Sequence, residues 1–383
     1  MSRVLIFDTN FSVKPIYDTL SESGHEVFVI GGNPNDSLCS SNFNWINLNY
    51  SDIDKCLQII EEYSIDYILP GGNDFSYLIC SQISEILGLD YLDGYDISKK
   101  INHKDKFRSF CDDNSLHSPK VYKDIDQIDS NLVIIKPSDC YSGRGATKLD
   151  NTSKKELYDA IEIAKSFSKN GDCVIEEFVT GDLFSHSAFI ENKKIKIDFF
   201  VEEYCTANPY TVDTSRVTYD IDDAVKNGIR NDIEKISSLL NLKDGLIHTQ
   251  FISNSKDFWI LEVTRRCPGD LYSELIEMST GFEYSKAYWK YFLKDSVSSS
   301  LSGTKKNIIR HTISTPHGQN YQGLDFFEPV LIKKFINLIK VGENLDKSPY
   351  SRVGVIFIEE AANKRYNEIF KNFIDRKIYK ILK

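Results

Sequence analysis

Short apolar runs alternate with helix-period stretches over the first hundred residues. Val4 to Phe7 is an apolar run that stops at Asp8-Thr9-Asn10, a turn and cap cluster. Ile16 and Leu20 then recur four apart, which predicts a strand followed by a helix over 13–23. Glu26 to Ile30 is a second strand, closed by Gly31-Gly32-Asn33-Pro34-Asn35-Asp36. Ile53, Leu57 and Ile60 mark one face of a helix over 52–63. Tyr67 to Leu69 is a third strand, ending at Pro70-Gly71-Gly72-Asn73-Asp74 before a helix over 75–87. Strands and helices alternating at this spacing imply right-handed crossovers and a parallel sheet, with a ligand crevice at the strand ends. The first loop lacks GxGxxG, which argues against dinucleotide binding.

The pattern then changes. Residues 96–115 read as a helical linker, followed by four β-like runs at 120–122, 132–136, 146–149 and 173–179, with a helix over 153–168 between the last two. Alternation over 183–204 predicts antiparallel strands. Ile229, Ile233, Ile236 and Leu240 mark an amphipathic helix. Runs at 245–252 and 258–263 read as paired strands joined by Ser253-Asn254-Ser255-Lys256-Asp257. Residues 271–293 are helical and aromatic-rich, and Ser296 to Gly303 is a serine-rich linker. Strands near 307–315, 330–340 and 352–358 and a helix over 361–375 close the chain.

Composition narrows the function classes. At 383 residues two or three domains are expected. A net charge of -10 argues against a nucleic-acid-binding surface. No apolar run approaches the roughly 20 residues of a membrane span, and the N-terminus reads as a strand rather than a signal peptide. Eight scattered cysteines with no CxxC pair point to free thiols in a reducing cytosol, hence a cytoplasmic protein.

Candidate chemistry clusters at loop and strand ends. The strand ending in Trp259-Ile260-Leu261-Glu262 runs into Val263-Thr264-Arg265-Arg266-Cys267-Pro268-Gly269-Asp270. A carboxylate and guanidinium groups delivered to one strand tip suit a divalent cation and phosphate oxygens. Lys106 sits in the helical linker and Lys136 ends an apolar strand. Ser142-Gly143-Arg144-Gly145 is a small-residue loop through which backbone N–H groups can approach phosphate. Val174-Ile175-Glu176-Glu177-Phe178-Val179 interrupts an apolar strand with two acids, one of which must point inward and find a partner. It reads either as a hinge edge facing a base or as an edge strand with its acids in water. Asn73-Asp74 is either a substrate contact or a helix cap. His186 and His248 are read as structural.

The order and spacing of these elements resemble the ATP-grasp superfamily over most of the chain. The resemblance is carried by Asp105-Lys106, Ile134-Ile135-Lys136-Pro137, Ser142-Gly143-Arg144-Gly145, Ile175-Glu176-Glu177-Phe178-Val179 and Glu262-Val263-Thr264-Arg265-Arg266. It implies an α/β and α+β architecture: a Rossmann-like pre-ATP-grasp domain (1–98), an ATP-grasp body (99–300) with a mobile lid near 116–180, and a C-terminal subdomain (301–383). It implies ATP and Mg2+ as cofactors, with Lys106 and Lys136 on the phosphates, Ser142, Gly143, Arg144 and Gly145 closing over them, and Glu176, Glu177, Phe178 and Val179 at the adenine. Glu262 would hold magnesium, with Gln250 and Thr264 where other members often carry a glutamate and an asparagine. Arg266, with Lys136, would serve catalysis, and Asn73, Asp74 and Arg265 would meet the second substrate. The implied activity is a ligase joining a small-molecule carboxylate to an amine through an acyl-phosphate. A carboxylating enzyme acting on bicarbonate and a nucleotide-binding protein with little turnover are the alternatives. A homodimer is compatible with the resemblance.

Overall fold

The computed structural model describes residues 1–140, 143–150, 153–301 and 305–383. The first domain carries four parallel strands in the order Asn44–Ile46, Glu26–Ile30, Arg3–Phe7, Tyr67–Pro70. Val4, Leu5, Ile6 and Phe7 are all fully buried, as the unbroken apolar run requires of a central parallel strand. Helices Lys14–Glu22 and Ile53–Glu62 lie in crossovers, and helix Asp74–Leu87 follows the last strand. The edge strand Asn44–Ile46 was not foreseen; three residues with a polar start leave no periodicity to read.

The expected helical linker is two helices, Tyr95–Asn102 and Lys104–Asp113, broken where His103 turns extended. Beyond it, strands Val121–Tyr122, Cys173–Glu177, Leu132–Pro137 and Thr147–Asp150 form, in that order, an antiparallel sheet. Helix Lys154–Phe167 covers it, placing Leu157, Ala160 and Ala164 against Val133, Ile135 and Ile175. Its start is fixed by a capping box between Ser153 and Glu156.

The body is one eight-stranded antiparallel sheet in the order Phe258–Thr264, Gly245–Ser253, Asp182–Glu191, Lys194–Tyr204, Thr214–Val217, Ile308–Ile313, Gly354–Glu359, Ile332–Asn337. This departs from the expected partition. Three strands from beyond residue 301 extend the body sheet, because the short strand Thr214–Val217 bridges the two halves through Ser215 and Arg310. Ile308, Val355 and Phe357 lie in the same core cluster as the first domain's sheet, while Ile309, Ile356 and Ile358 pack on helix Asn363–Ile374. The aromatic stretch after residue 271 is two helices, Tyr272–Thr280 and Tyr284–Phe292, separated at Gly281. The second docks the first domain on the body: Trp289 Nε1 donates to Thr19 Oγ1 (3.1 Å) and Tyr288 donates to the Pro70 carbonyl (3.1 Å). Four cysteines are buried and four half-buried, and all eight are free thiols. Among the described residues no helix is long and apolar enough to cross a membrane.

Because Phe357 is fully buried in the shared core, Phe357→Ala should cost about 3–5 kcal/mol in the main urea transition. A loss confined to a separate minor transition would show that the C-terminal strands fold apart.

Candidate functional site

Strand register assembles the site. Glu262 pairs with Gln250, and Gln250 with Ser185, so these three side chains share one face of the body sheet. Thr264, His248 and Ser187 form the neighbouring row on that face. Ser185 pairs with Val201, and two residues on Glu203 pairs with Ser215, which pairs with Arg310. A polar stripe therefore crosses six strands.

One wall of the cleft comes from the smaller sheet. Lys136 Nζ meets Glu176 Oε2 at 2.5 Å, and Arg108 Nε meets Glu176 Oε1 at 2.9 Å. Arg108 and Glu176 are both about 1% exposed, whereas Lys136 retains 18%. The Glu176 carboxylate thus points at Lys136, and any contact from residue 176 to a base is left to its backbone. Burial works against its charge, but the two cations prevail and hold its pKa down to about 2. The same burial lowers the pKa of Lys136. Arg108 also donates through Nη2 to the Leu261 carbonyl (2.7 Å), tying the smaller sheet to the strand that carries Glu262.

Lys104, rather than Lys106, meets the loop after Lys136. Its backbone N–H donates to the Ser138 carbonyl (3.0 Å) and its Nζ to the Cys140 carbonyl (2.6 Å). Lys106 stands exposed one turn away. Gly143 and Gly145 have φ of +66° and +74°, and a Cβ on Gly143 would lie 2.2 Å from Tyr210 Cβ, so this loop already rests on Tyr210. Arg144 is exposed, and Ser142 lies outside the described residues. On the hinge, the Glu177 and Phe178 N–H groups donate to Lys120 and Leu132. The Val179 N–H takes no partner among the described residues, which leaves it available to a base edge.

The opposite wall is built on Asp74. Arg266 grips it through Nε (3.0 Å) and Nη2 (2.8 Å), and the Thr264 hydroxyl donates to it at 2.6 Å. Burial opposes ionisation of Asp74, but Arg266 and Thr264 outweigh it and hold the carboxyl below its ordinary range. Asp74 is therefore an anchor for Arg266, and Arg266 keeps Nη1, with only a long 3.4 Å bond to the Cys267 carbonyl, for other work. Asn73 caps helix Asp74–Leu87 by accepting from Ser76 N–H, and donates to Asp8 Oδ2. Asn73 and Asp74 are thus both engaged in contacts within the protein. Arg265 turns to the other side of the strand: Nε meets Asp93 (2.7 Å), Nη1 the Leu246 carbonyl and Nη2 the Lys243 carbonyl. The two arginines follow the strand Phe258–Thr264, and their guanidinium groups part there, Arg266 to Asp74 and Arg265 to Asp93. The first domain abuts the strand tip here; a Cβ on Gly269 would lie 2.6 Å from the Gly72 carbonyl oxygen.

Glu262 is exposed on the polar stripe and accepts no hydrogen bond among the described residues. Gln250 sends its amide N–H to Glu203 (2.6 Å), which leaves its amide oxygen toward Glu262. Thr264 does not fit a cation site, since its hydroxyl is committed to Asp74. Among the described residues no cluster of three acidic, histidine or cysteine groups could hold a metal. Glu262 with the Gln250 oxygen suits magnesium, which takes few protein ligands and completes its shell with water and phosphate oxygens. Burial pushes Glu203 up to about 7, where the Tyr272 hydroxyl and Gln250 hydrogen-bond it. His186, whose Nε2 meets Asp198, and His248, whose Nδ1 meets Ser187, are interior; burial drives His248 down to about 3, so it stays neutral.

No family model and no curated protein sequence matches the chain. Solved structures do. The L-amino acid ligase from Bacillus licheniformis superposes with a TM-score of 0.81 at 15% identity, covering 100% of this chain and 98% of that one. This is the ATP-grasp fold. Phosphoribosylglycinamide synthetase from Anaerococcus prevotii gives 0.76 at 17% identity, covering 100% and 99%. The biotin carboxylase domain of Hydrogenobacter thermophilus 2-oxoglutarate carboxylase, crystallised with MgADP and bicarbonate, gives 0.77 at 13%, covering 100% and 90%. Within this fold Arg108, Arg310 and Glu203 were missed from the sequence, and Asp270 was named only as the end of the stretch that carries Arg266. Two signals were there to find. Arg108 falls at the buried phase of its helix, and Arg310 interrupts the apolar run of strand Ile308–Ile313.

The depressed pKa of Glu176 sets the sign of a pH effect. Its contribution to stability is complete above the ordinary glutamate range near 4.5 and is lost as pH falls toward about 2. Glu176→Gln should lower the urea midpoint at pH 7, by an amount equivalent to about 3–5 kcal/mol, and flatten the decline between pH 5 and 3. An unchanged acid limb would show that the carboxylate is not held ionised.

Proposed function

We propose that the chain is an ATP- and magnesium-dependent ligase that joins a small-molecule carboxylate to an amine through an acyl-phosphate. The arrangement that supports this is Arg108 bridging Glu176, which pairs with Lys136, to the Leu261 carbonyl next to the exposed Glu262, while the Asp74-anchored Arg266 interacts electrostatically with Glu262. Lysine and arginine donors flanking an unpaired acid suit a triphosphate with its cation. The Glu177–Val179 backbone would take the adenine edge, Lys136 and the 142–145 loop the phosphates, and Glu262 with Gln250 a magnesium ion. That ion would neutralise phosphate charge.

Transfer of the γ-phosphoryl group to the acceptor carboxylate gives a mixed anhydride. The amine then attacks its carbonyl carbon, the C–N bond forms, and the C–O bond to phosphate breaks. Lys136 and Arg266 Nη1 meet the negative charge that develops, and positioning does most of the work. The glycine loop excludes water from the anhydride, and its contact with Tyr210 supports a lid that closes on the body. The ATP-grasp fold of the L-amino acid ligase and of phosphoribosylglycinamide synthetase supports the ligase reading; that of biotin carboxylase makes bicarbonate the competing acceptor.

ADP release against panels of amino acids, amino sugars and bicarbonate tests this. Turnover requiring both a carboxylate and an amine is expected; turnover with bicarbonate alone would overturn the amide-forming step. Glu262→Ala, at an exposed position that leaves the fold intact, should reduce turnover by about 10²-fold or more. Undiminished turnover would remove Glu262 from the site.

A further inference from the structure

Of the charged groups on the polar stripe, most are already satisfied. Arg266 is held by Asp74, and Glu203 by Tyr272 and Gln250. What remains is a cluster further along, formed by Asp270, Arg310 and Arg352. Arg310 is fully buried. Its Nε donates to the Asp270 carbonyl (2.6 Å) and its Nη2 to Thr312 Oγ1 (2.7 Å), so the guanidinium is fixed in orientation. Its Nη1 is buried and has no hydrogen-bond partner, and the same is true of Asp270 Oδ1. Arg310 Nη2 and Asp270 Oδ2 stand 3.7 Å apart. Arg352, half-buried, lies over the Phe11 ring of the first domain at 5.7 Å and makes no hydrogen bond among the described residues.

Arg310 and Asp270 offset each other's charge at 3.7 Å, but a buried guanidinium nitrogen and a buried carboxylate oxygen that each lack a hydrogen bond remain costly unless something meets both. A ligand with a cation and an anion on neighbouring atoms would satisfy the pair at once. A bare anion would answer Arg310 and Arg352 but repel Asp270, and a bare amine would do the reverse. The cluster adjoins the reactive end of the cleft, since Asp270 follows Arg266 by four residues and the two groups interact electrostatically.

We infer that Arg310, Arg352 and Asp270 form a subsite for the α-amino acid whose amine is the nucleophile, its carboxylate on Arg310 Nη1 and Arg352 and its ammonium on Asp270 Oδ1, which takes the ammonium proton to free the amine for attack. This rests on the ligase reading above and narrows the amine substrate to a zwitterion. Phe11 and Tyr272 wall the subsite, the latter under the Arg310 guanidinium at 5.8 Å. Arg352 and Asp270 supply its solvent-facing edge.

The test is calorimetric titration of the full chain with the twenty L-α-amino acids, one at a time, with and without a non-hydrolysable ATP analogue and magnesium. At least one amino acid should bind, and its des-amino and decarboxylated analogues should bind at least tenfold more weakly. Arg352→Gln should weaken that amino acid at least tenfold while leaving the affinity for the ATP analogue unchanged. Arg310→Lys, which keeps the charge but not the fixed Nη1, should do the same. Equal binding of either truncated analogue, binding of no amino acid, or wild-type amino-acid affinity in both folded variants would overturn the subsite. Failure of the ATP analogue to bind anywhere would instead sink the ligase reading, and the amino-acid titration without nucleotide reads the subsite independently.

Discussion

The Glu176 carboxylate, buried between Arg108 and Lys136, is the contact on which the two sheets depend. A lone carboxylate so far from water would protonate; with one cation from the linker helix and one from its own sheet it stays ionised. Arg108 reaches past it to the Leu261 carbonyl. One charge cluster thus joins helix Lys104–Asp113, the smaller sheet and strand Phe258–Thr264, the three elements that carry Lys104, Lys136 and Glu262. Lys136 cannot wander, and its ammonium is presented to the cleft with its orientation already set.

The same device recurs opposite. Asp74, from the first domain, holds Arg266 from two sides and takes the Thr264 hydroxyl. A residue of one domain fixes Arg266 of the other, so the seam between them carries the arginine proposed for catalysis. The body sheet contributes by register alone, lining up Glu262, Gln250, Glu203 and Arg310 across strands far apart in sequence. The C-terminal strands belong to this sheet, which is why a residue as late as Arg352 can stand beside Phe11.

Much of this was legible in the sequence, and the limits were physical. Periodicity located three of the four parallel strands because each carries an apolar run, and the two acids in Val174–Val179 announced a buried carboxylate in need of a partner. Identifying that partner as Lys136 required the pairing of Cys173–Glu177 with Leu132–Pro137, which is long-range register and has no local signature. Arg265 and Arg266 looked alike as letters; just past the strand end one turns to Asp93 and the other to Asp74. Thr264 and Asp74 were each placed in the site but for separate roles, whereas they bond to one another. Arg310 escaped because a charged residue in a strand reveals its unmet nitrogen only once its neighbours are in place, and Asp270, in the turn after Pro268, likewise shows its unmet oxygen only in the fold.

The most direct measurement is a crystal structure with a non-hydrolysable ATP analogue and magnesium. The account predicts adenine against the Glu177–Val179 backbone, the γ-phosphate between Lys136 and Arg266, and the cation on Glu262. Nucleotide lodged elsewhere, or a γ-phosphate out of reach of Lys136 and Glu262, would contradict it.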